Sequence, residues 1–164
     1  MENLSNIKVK FLNKDIATII ISEAKTYNAL SFKNLGDLIK AFEKLDNDKN
    51  VKVIIIEGEG KGFSAGHNLK EVSRLKKRAK YQKLFNLCSK LMLQIVEGKK
   101  PVIAKVHGAA FAAGCQLVAS CDLAYSSNDA IFATPGVNIG LFCSTPMVAV
   151  SRKVNRKRMM KMLL

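Results

Sequence analysis

An α/β fold with a largely parallel sheet is predicted by three features of this sequence. Short β-branched apolar runs alternate with stretches of helical apolar spacing, glycine-rich or small-residue loops join one kind to the other, and no internal repeat or low-complexity linker interrupts the series. At 164 residues there is room for one domain, so residues 1–164 are read as a single core.

Two β-like runs open the chain, 7–12 and 16–22, and Asn13, Lys14 and Asp15 between them give hairpin spacing with turn-forming residues. Ser31 is a candidate helix cap, and Leu35, Leu38, Ile39, Phe42 and Leu45 repeat at helical spacing behind it. The run 51–56 is apolar except for Lys52, the pattern of a strand covered on both faces. A glycine-rich passage, 58–66, leads to one long amphipathic helix with the stripe Leu84, Leu87, Cys88, Leu91, Met92 and Ile95. Gly98 stops that helix, and Pro101 opens a second buried strand, 102–106. Residues 108–114 are small and run into a helix over 115–120, with a strand around 122–126. A third loop, 133–140, leads to helix-like sequence from Thr145, and 156–164 reads as a helix with no cap and no stop signal. Strand, loop and helix in this repeated order imply crossover helices on a parallel sheet.

Composition narrows the function classes. With 48% hydrophobic and 24% charged residues the chain is neither collagen-like, mucin-like nor disordered. Its apolar runs fall short of the roughly 20 residues that span a bilayer, and the first residues lack the blocks of a secretory or transit signal, so the cytosol is the expected compartment. Cys88, Cys115, Cys121 and Cys143 form no C-x-x-C pair, and His67 and His107 are the only histidines; four reduced, buried thiols and no metal site are expected. The net charge of +14 leaves two readings open. One is an anionic partner, whether nucleic acid, membrane surface or phosphorylated ligand; the other is a generally basic, solvated surface. The cationic residues are densest over 70–83 and 152–161.

The glycine-rich passage fits neither phosphate fingerprint: Phe63 stands where a dinucleotide loop needs glycine, and Lys61 is followed by Gly62 rather than Ser or Thr. Two small-residue turns, Phe63-Ser64-Ala65-Gly66-His67 and Ala109-Ala110-Phe111-Ala112-Ala113-Gly114, suit a different chemistry. An enolate or tetrahedral oxyanion needs two converging backbone N–H donors, and small side chains admit a ligand to the main chain. The alternative is an ordinary pair of tight strand-to-helix turns.

Five ordered motifs resemble the enoyl-CoA hydratase/isomerase (crotonase) superfamily. They are Lys25-Thr26-Tyr27-Asn28-Ala29-Leu30, Val53-Ile54-Ile55-Ile56-Glu57-Gly58, Phe63-Ser64-Ala65-Gly66-His67-Asn68-Leu69, Pro101-Val102-Ile103-Ala104-Lys105-Val106-His107-Gly108, and Gly114-Cys115-Gln116-Leu117 with Cys121-Asp122. From Gly114 to Ser144 the chain is most like the branch called enoyl-CoA hydratase domain-containing protein 3. The resemblance implies a crotonase-like (ClpP/crotonase) spiral core of ββα units, without the C-terminal helical region that in the family covers the acyl pocket and joins trimers; the last helix is then expected to bare its apolar face. It implies an acyl-CoA ligand in fatty-acid or acyl-CoA metabolism, coenzyme A being part of the substrate and no separate cofactor being needed. It places the backbone N–H groups of His67 and Ala113 as oxyanion donors, Lys25, Thr26 and Tyr27 along the pantetheine and nucleotide, and Leu69 and Lys70 beside the adenine.

The two glutamates that serve family hydratases as acid and base fall at Gln116 and Gly136, neither competent for proton transfer, so lyase activity is expected to be slow or absent. Asn68 replaces an aspartate usual in the family. The His67 ring is the remaining ionisable candidate, while Asp122 suits a structural role, His107 a loop edge, Cys115 and Cys143 buried filler, and Glu57 and Glu71 solvated surface. Two rival readings are an RNA-associated module using a basic helix over 70–83 and the tail, and a noncatalytic subunit of a longer paralogue. A homo-oligomer is the expected assembly.

Overall fold

The computed structural model describes residues 5–164. In chain order its elements are β1 (Ile7–Phe11), β2 (Ile16–Ile21), α1 (Phe32–Asn47), β3 (Val53–Gly58), α2 (Leu69–Ser73), α3 (Arg78–Val96), β4 (Val102–Val106) and β5 (Ala109–Phe111). There follow α4 (Ala113–Ser120), β6 (Leu123–Ser126), β7 (Ile131–Ala133), α5 (Ser144–Val150) and α6 (Arg156–Leu163), with 3-10 turns at Ala24–Thr26 and Pro135–Ile139. The main sheet has the order β1-β2-β3-β4-β6, antiparallel only at the opening hairpin, and β5 pairs in parallel with β7 in a second, smaller sheet.

The hairpin turns where Asn13 accepts hydrogen bonds from the Asp15 and Ile16 amides, both at 2.9 Å. Ser31 caps α1 as its sequence predicts, its hydroxyl accepting from the Asn34 amide at 3.1 Å. The α1 stripe of Leu35, Leu38, Phe42 and Leu45 shares one buried cluster with Ile19, Ile21, Ile54 and Ile56 of the sheet and with Leu84 and Leu91 of α3. Each such side chain contributes about 1.5–3 kcal/mol by leaving water.

Strand and small strand then alternate. β4, β5 and α4 form one ββα unit, and β6, β7 and the following helical turns form another. The stretch after β3 behaves like a third, because Gly62 bridges to Gly108, just before β5, and Ser64 to Ala110 within it. The parallel sheet and the spiral of ββα units predicted above are thus present. The three-residue strands β5 and β7 escape sequence reading because they are shorter than any periodicity.

Four local expectations are corrected. The strand expected at 51–56 lies at Val53–Gly58, and only one face is fully buried, since Ile54, Ile56 and Gly58 alternate with half-buried Val53, Ile55 and Glu57. The single long basic helix is two helices: Asn68 caps α2 through the Glu71 amide at 3.1 Å, no α2 residue is buried, and the chain turns again before α3. Leu87, expected in the α3 stripe, is only half-buried. α6 does have an N-cap, Asn155, which accepts from the Arg158 amide at 3.0 Å, and its apolar face is bare only in part: Met159 and Leu163 are buried with Cys115, Cys143 and Val150, while Met160 is exposed.

Candidate functional site

The two small-residue turns are stitched together by the main chain. The Ser64 amide donates to the Ala109 carbonyl at 3.0 Å, and the Phe111 amide donates back to the Ser64 carbonyl at 2.9 Å. The Ser64 hydroxyl, fully buried, donates to the Asn28 carbonyl at 2.9 Å and accepts from the Gly66 amide at 3.2 Å. Gly66 sits at a φ of +87°, and a Cβ there would lie 2.8 Å from the Phe111 carbonyl oxygen and 3.1 Å from the Ala113 nitrogen. The His67 turn and the start of α4 are therefore in contact through a residue without a side chain. Ala112, just before α4, holds a φ of +48°, a region that L residues enter at a cost of about 1–3 kcal/mol. Among the described residues, neither the His67 nor the Ala113 amide donates to another backbone group.

Beside the first turn opens a cavity of about 1160 Å³, and Lys25, Thr26, Tyr27, His67, Leu69 and Lys70 all line it. The sequence-predicted binding residues, 45 positions apart at most, thus converge on one wall system. Arg74, Lys80 and Lys83 add three more cations, against one acid, Glu71. That acid is not simply solvated, as the sequence suggests: its carboxylate accepts from the Phe32 amide at 2.9 Å, at the positive end of α1. Part of the cationic 70–83 stretch is thereby pocket wall.

Asn28 is the residue sequence reading undervalues. It is fully buried at a φ of +56°, its side-chain amide donates to the Glu59 and Gly62 carbonyls at 2.8 Å each, and its oxygen accepts from the Glu23 amide at 2.9 Å. It ties the Lys25–Tyr27 turn to the glycine-rich passage. The available signal is asparagine's tolerance of the left-handed region.

His67 faces several constraints. Its Nδ1 lies 3.3 Å from the Leu30 carbonyl oxygen, its ring meets Phe85 edge-on at 5.3 Å, and its Nε2 is buried without a partner. Burial holds its pKa below the usual histidine value, the Leu30 contact opposing this only in part, so the neutral ring is favoured. Ala113, Gln116 and Gly136 do not line this cavity. Gln116 is buried on the first turn of α4 with its side-chain oxygen unpartnered. At Gly136 a Cβ would stand 2.7 Å from the Leu141 carbonyl oxygen and 2.8 Å from the Cys143 sulfur.

The remaining candidates take structural places. Asp122 accepts from the Val102 amide at 2.7 Å, locking β4 to the start of β6, and His107 Nε2 lies 2.7 Å from the Gly60 carbonyl oxygen. Glu57 pairs with Lys105 at 2.8 Å on the surface. All four cysteines are buried free thiols; burial pushes Cys88 and Cys121 up to about 12 and Cys115 up to about 11. No group of metal-ligating side chains occurs among the described residues.

Comparison with known proteins agrees with this geometry. A model of the enoyl-CoA hydratase/isomerase family matches residues 12–164. Mitochondrial enoyl-CoA hydratase domain-containing protein 3 of Homo sapiens is 49% identical over 148 residues, covering 90% of this chain and 49% of that protein. The same protein of Xenopus laevis is also 49% identical, over 90% of this chain and 50% of its own length. The chain thus spans about half the length of these curated relatives. Among solved structures, an enoyl-CoA hydratase of Mycobacterium smegmatis superposes with a TM-score of 0.93 at 46% identity, over 96% of this chain and 62% of that one. The human domain-containing protein 3 superposes with a TM-score of 0.92, over the same shares. The chain belongs to the enoyl-CoA hydratase/isomerase (crotonase) family, in the branch represented by enoyl-CoA hydratase domain-containing protein 3.

Proposed function

We propose that this chain binds acyl-CoA thioesters, with the coenzyme along Lys25, Thr26, Tyr27, Leu69 and Lys70 and the thioester oxygen between the His67 and Ala113 amides. One observation carries the reading: the wall that gathers five cations ends at a turn so close to α4 that a Cβ on Gly66 would stand 3.1 Å from the Ala113 nitrogen. Two N–H donors, one at a helix start, lower the energy of negative charge developing on a thioester oxygen. The cations suit the phosphates, which makes a phosphorylated small ligand the favoured anionic partner.

Proton transfer is less well served. With Gln116 and Gly136 at the positions of the family's acid and base, each missing group removes about 10² to 10⁴ in rate. Binding with slow or absent hydration is the result. With this reading go the trimer-based assembly that the family implies and a place in acyl-CoA metabolism. Four reduced thiols suit the cytosol and equally the compartment of relatives named mitochondrial. No helix among the described residues is long and apolar enough to cross a membrane.

Calorimetric titration tests the proposal. Free CoA should bind and acetyl-CoA should bind more tightly, while crotonyl-CoA should be hydrated slowly or not at all. Absence of heat with either ligand would remove the thioester reading, and robust hydration lost in Gln116→Ala would remove the assignment of positions 116 and 136.

A further inference from the structure

Among the described residues, three buried side-chain polar atoms have no hydrogen-bond partner: His67 Nε2, Gln94 Oε1 and Gln116 Oε1. Of these three side chains only His67 lines the cavity that holds Lys25 to Tyr27, Leu69 and Lys70, and only an imidazole exchanges a proton near neutral pH. The Leu30 carbonyl is purely an acceptor, so the ring 3.3 Å from it carries its proton on Nδ1 and leaves Nε2 a bare lone pair. Burial keeps that ring neutral. Its aromatic neighbour, Phe85, is 41% exposed and stands outside the buried cluster, so a ligand can enter beside the imidazole without opening the core.

We propose that His67 Nε2 is the base that removes a proton from C2 of a bound acyl-CoA, giving the chain an enolising activity in place of hydration. The inference rests on the thioester reading above. Ring and oxyanion donor belong to one residue, so a thioester whose oxygen meets the His67 amide holds its C2 close to the imidazole. The C2–H bond breaks, its proton passes to Nε2, and its electron pair forms a C1–C2 double bond while the carbonyl pair moves onto oxygen. The enolate oxygen then lies between the His67 and Ala113 amides, and the Nδ1–H, still donated to the Leu30 carbonyl, supports the imidazolium. Return of a proton from Nε2 to C2 restores the thioester, so no second reactant is consumed. Other groups are already engaged or unsuited. His107 Nε2 is held at the Gly60 carbonyl, Glu71 accepts from the Phe32 amide, and burial pushes Cys88, Cys115 and Cys121 up to about 12, 11 and 12.

Acetyl-CoA in D2O tests this on the 164-residue chain, because it has no carbon–carbon double bond to hydrate. The Nε2 proton exchanges with solvent, so proton NMR should show deuterium entering the acetyl methyl group. His67→Phe keeps the amide and a ring against Phe85; it should slow exchange about 10²-fold or more while acetyl-CoA still binds in calorimetry, and His67→Gln should do the same. In the parent the rate should climb with pH to a plateau with its midpoint below 6.5, since the neutral ring is the active form. The charged and titratable side chains that share the cavity are Lys25, Tyr27, Lys70, Glu71, Arg74, Lys80 and Lys83, and α3 meets the ring through apolar Phe85. Nitrogen-15 spectra of the parent should show the Nδ1–H tautomer, which decides the matter even where circular dichroism finds both variants unfolded. Binding without exchange, exchange undiminished in either folded variant, a rate still rising between about pH 7 and 9, or an Nε2–H tautomer would each overturn the proposal and leave acyl-CoA binding standing. Absence of acetyl-CoA binding would remove both.

Discussion

Gly66→Ala probes the contact on which the thioester reading rests. A left-handed φ of +87° costs an alanine about 1–2 kcal/mol. The new methyl would also meet the Phe111 oxygen at 2.8 Å and the Ala113 nitrogen at 3.1 Å, both backbone atoms that cannot rotate away, which adds about 1–3 kcal/mol of overpacking. The sum, about 2–5 kcal/mol, corresponds to a fall in Tm of roughly 5–15 °C for a chain of this size. Relief by moving the His67 turn off α4 separates the two amides, so acetyl-CoA affinity should fall even at temperatures where the variant is folded. Gly36→Ala supplies the control, because a Cβ there meets nothing within 4 Å in the middle of α1, and it should raise stability by about 0.5–1 kcal/mol. Differential scanning fluorimetry and calorimetric titration read both. A Gly66→Ala protein that melts with the parent and binds acetyl-CoA equally well would refute the reasoning.

Other consequences are more local. Asn28→Ala removes three hydrogen bonds at a buried left-handed position and should cost about 2–4 kcal/mol in denaturant unfolding, with weakened CoA binding as the Lys25–Tyr27 turn loosens. Cys88, Cys115 and Cys121 should resist a thiol reagent at pH 8 until the chain is unfolded. Because burial raises these thiols above their ordinary 9.0, the unfolded chain loses protons first; stability should hold below about pH 9 and decline as pH rises toward 12. His67 titrates in the opposite sense. Its folded pKa lies below 6.5, so its contribution is complete above that pH and is lost as pH falls, and Tm should drop less between pH 7 and 5 in His67→Gln than in the parent.

Helical periodicity and capping made α1 legible, because Ser31 and the Leu35 to Leu45 stripe act within one segment. The parallel order also followed from segment order, since chain direction and crossover handedness leave few alternatives. What escaped depended on partners distant in sequence. The break between α2 and α3 lies in basic sequence with no periodicity to lose, and β3 is half-covered because α1 and α3 share the buried cluster with only its Ile54 and Ile56 face. In the site, Lys25, Thr26, Tyr27, Leu69 and Lys70 came from motif resemblance and meet at one cavity. Asn28 and Glu71 gain their roles from contacts 31 to 39 residues away, which no local pattern encodes. The coverage of Met159 and Leu163 by Cys115 and Cys143 is of the same kind.

The crowding around Gly136 reaches beyond one absent side chain. With the Leu141 oxygen and the Cys143 sulfur occupying the room, even a single methyl has no vacancy to grow into. A longer side chain at position 136 would require the 141–143 bend to be reshaped or the thiol to be shrunk. Position 136 is thereby coupled to the 141–143 bend, so that a change at one is accommodated only by a change at the other.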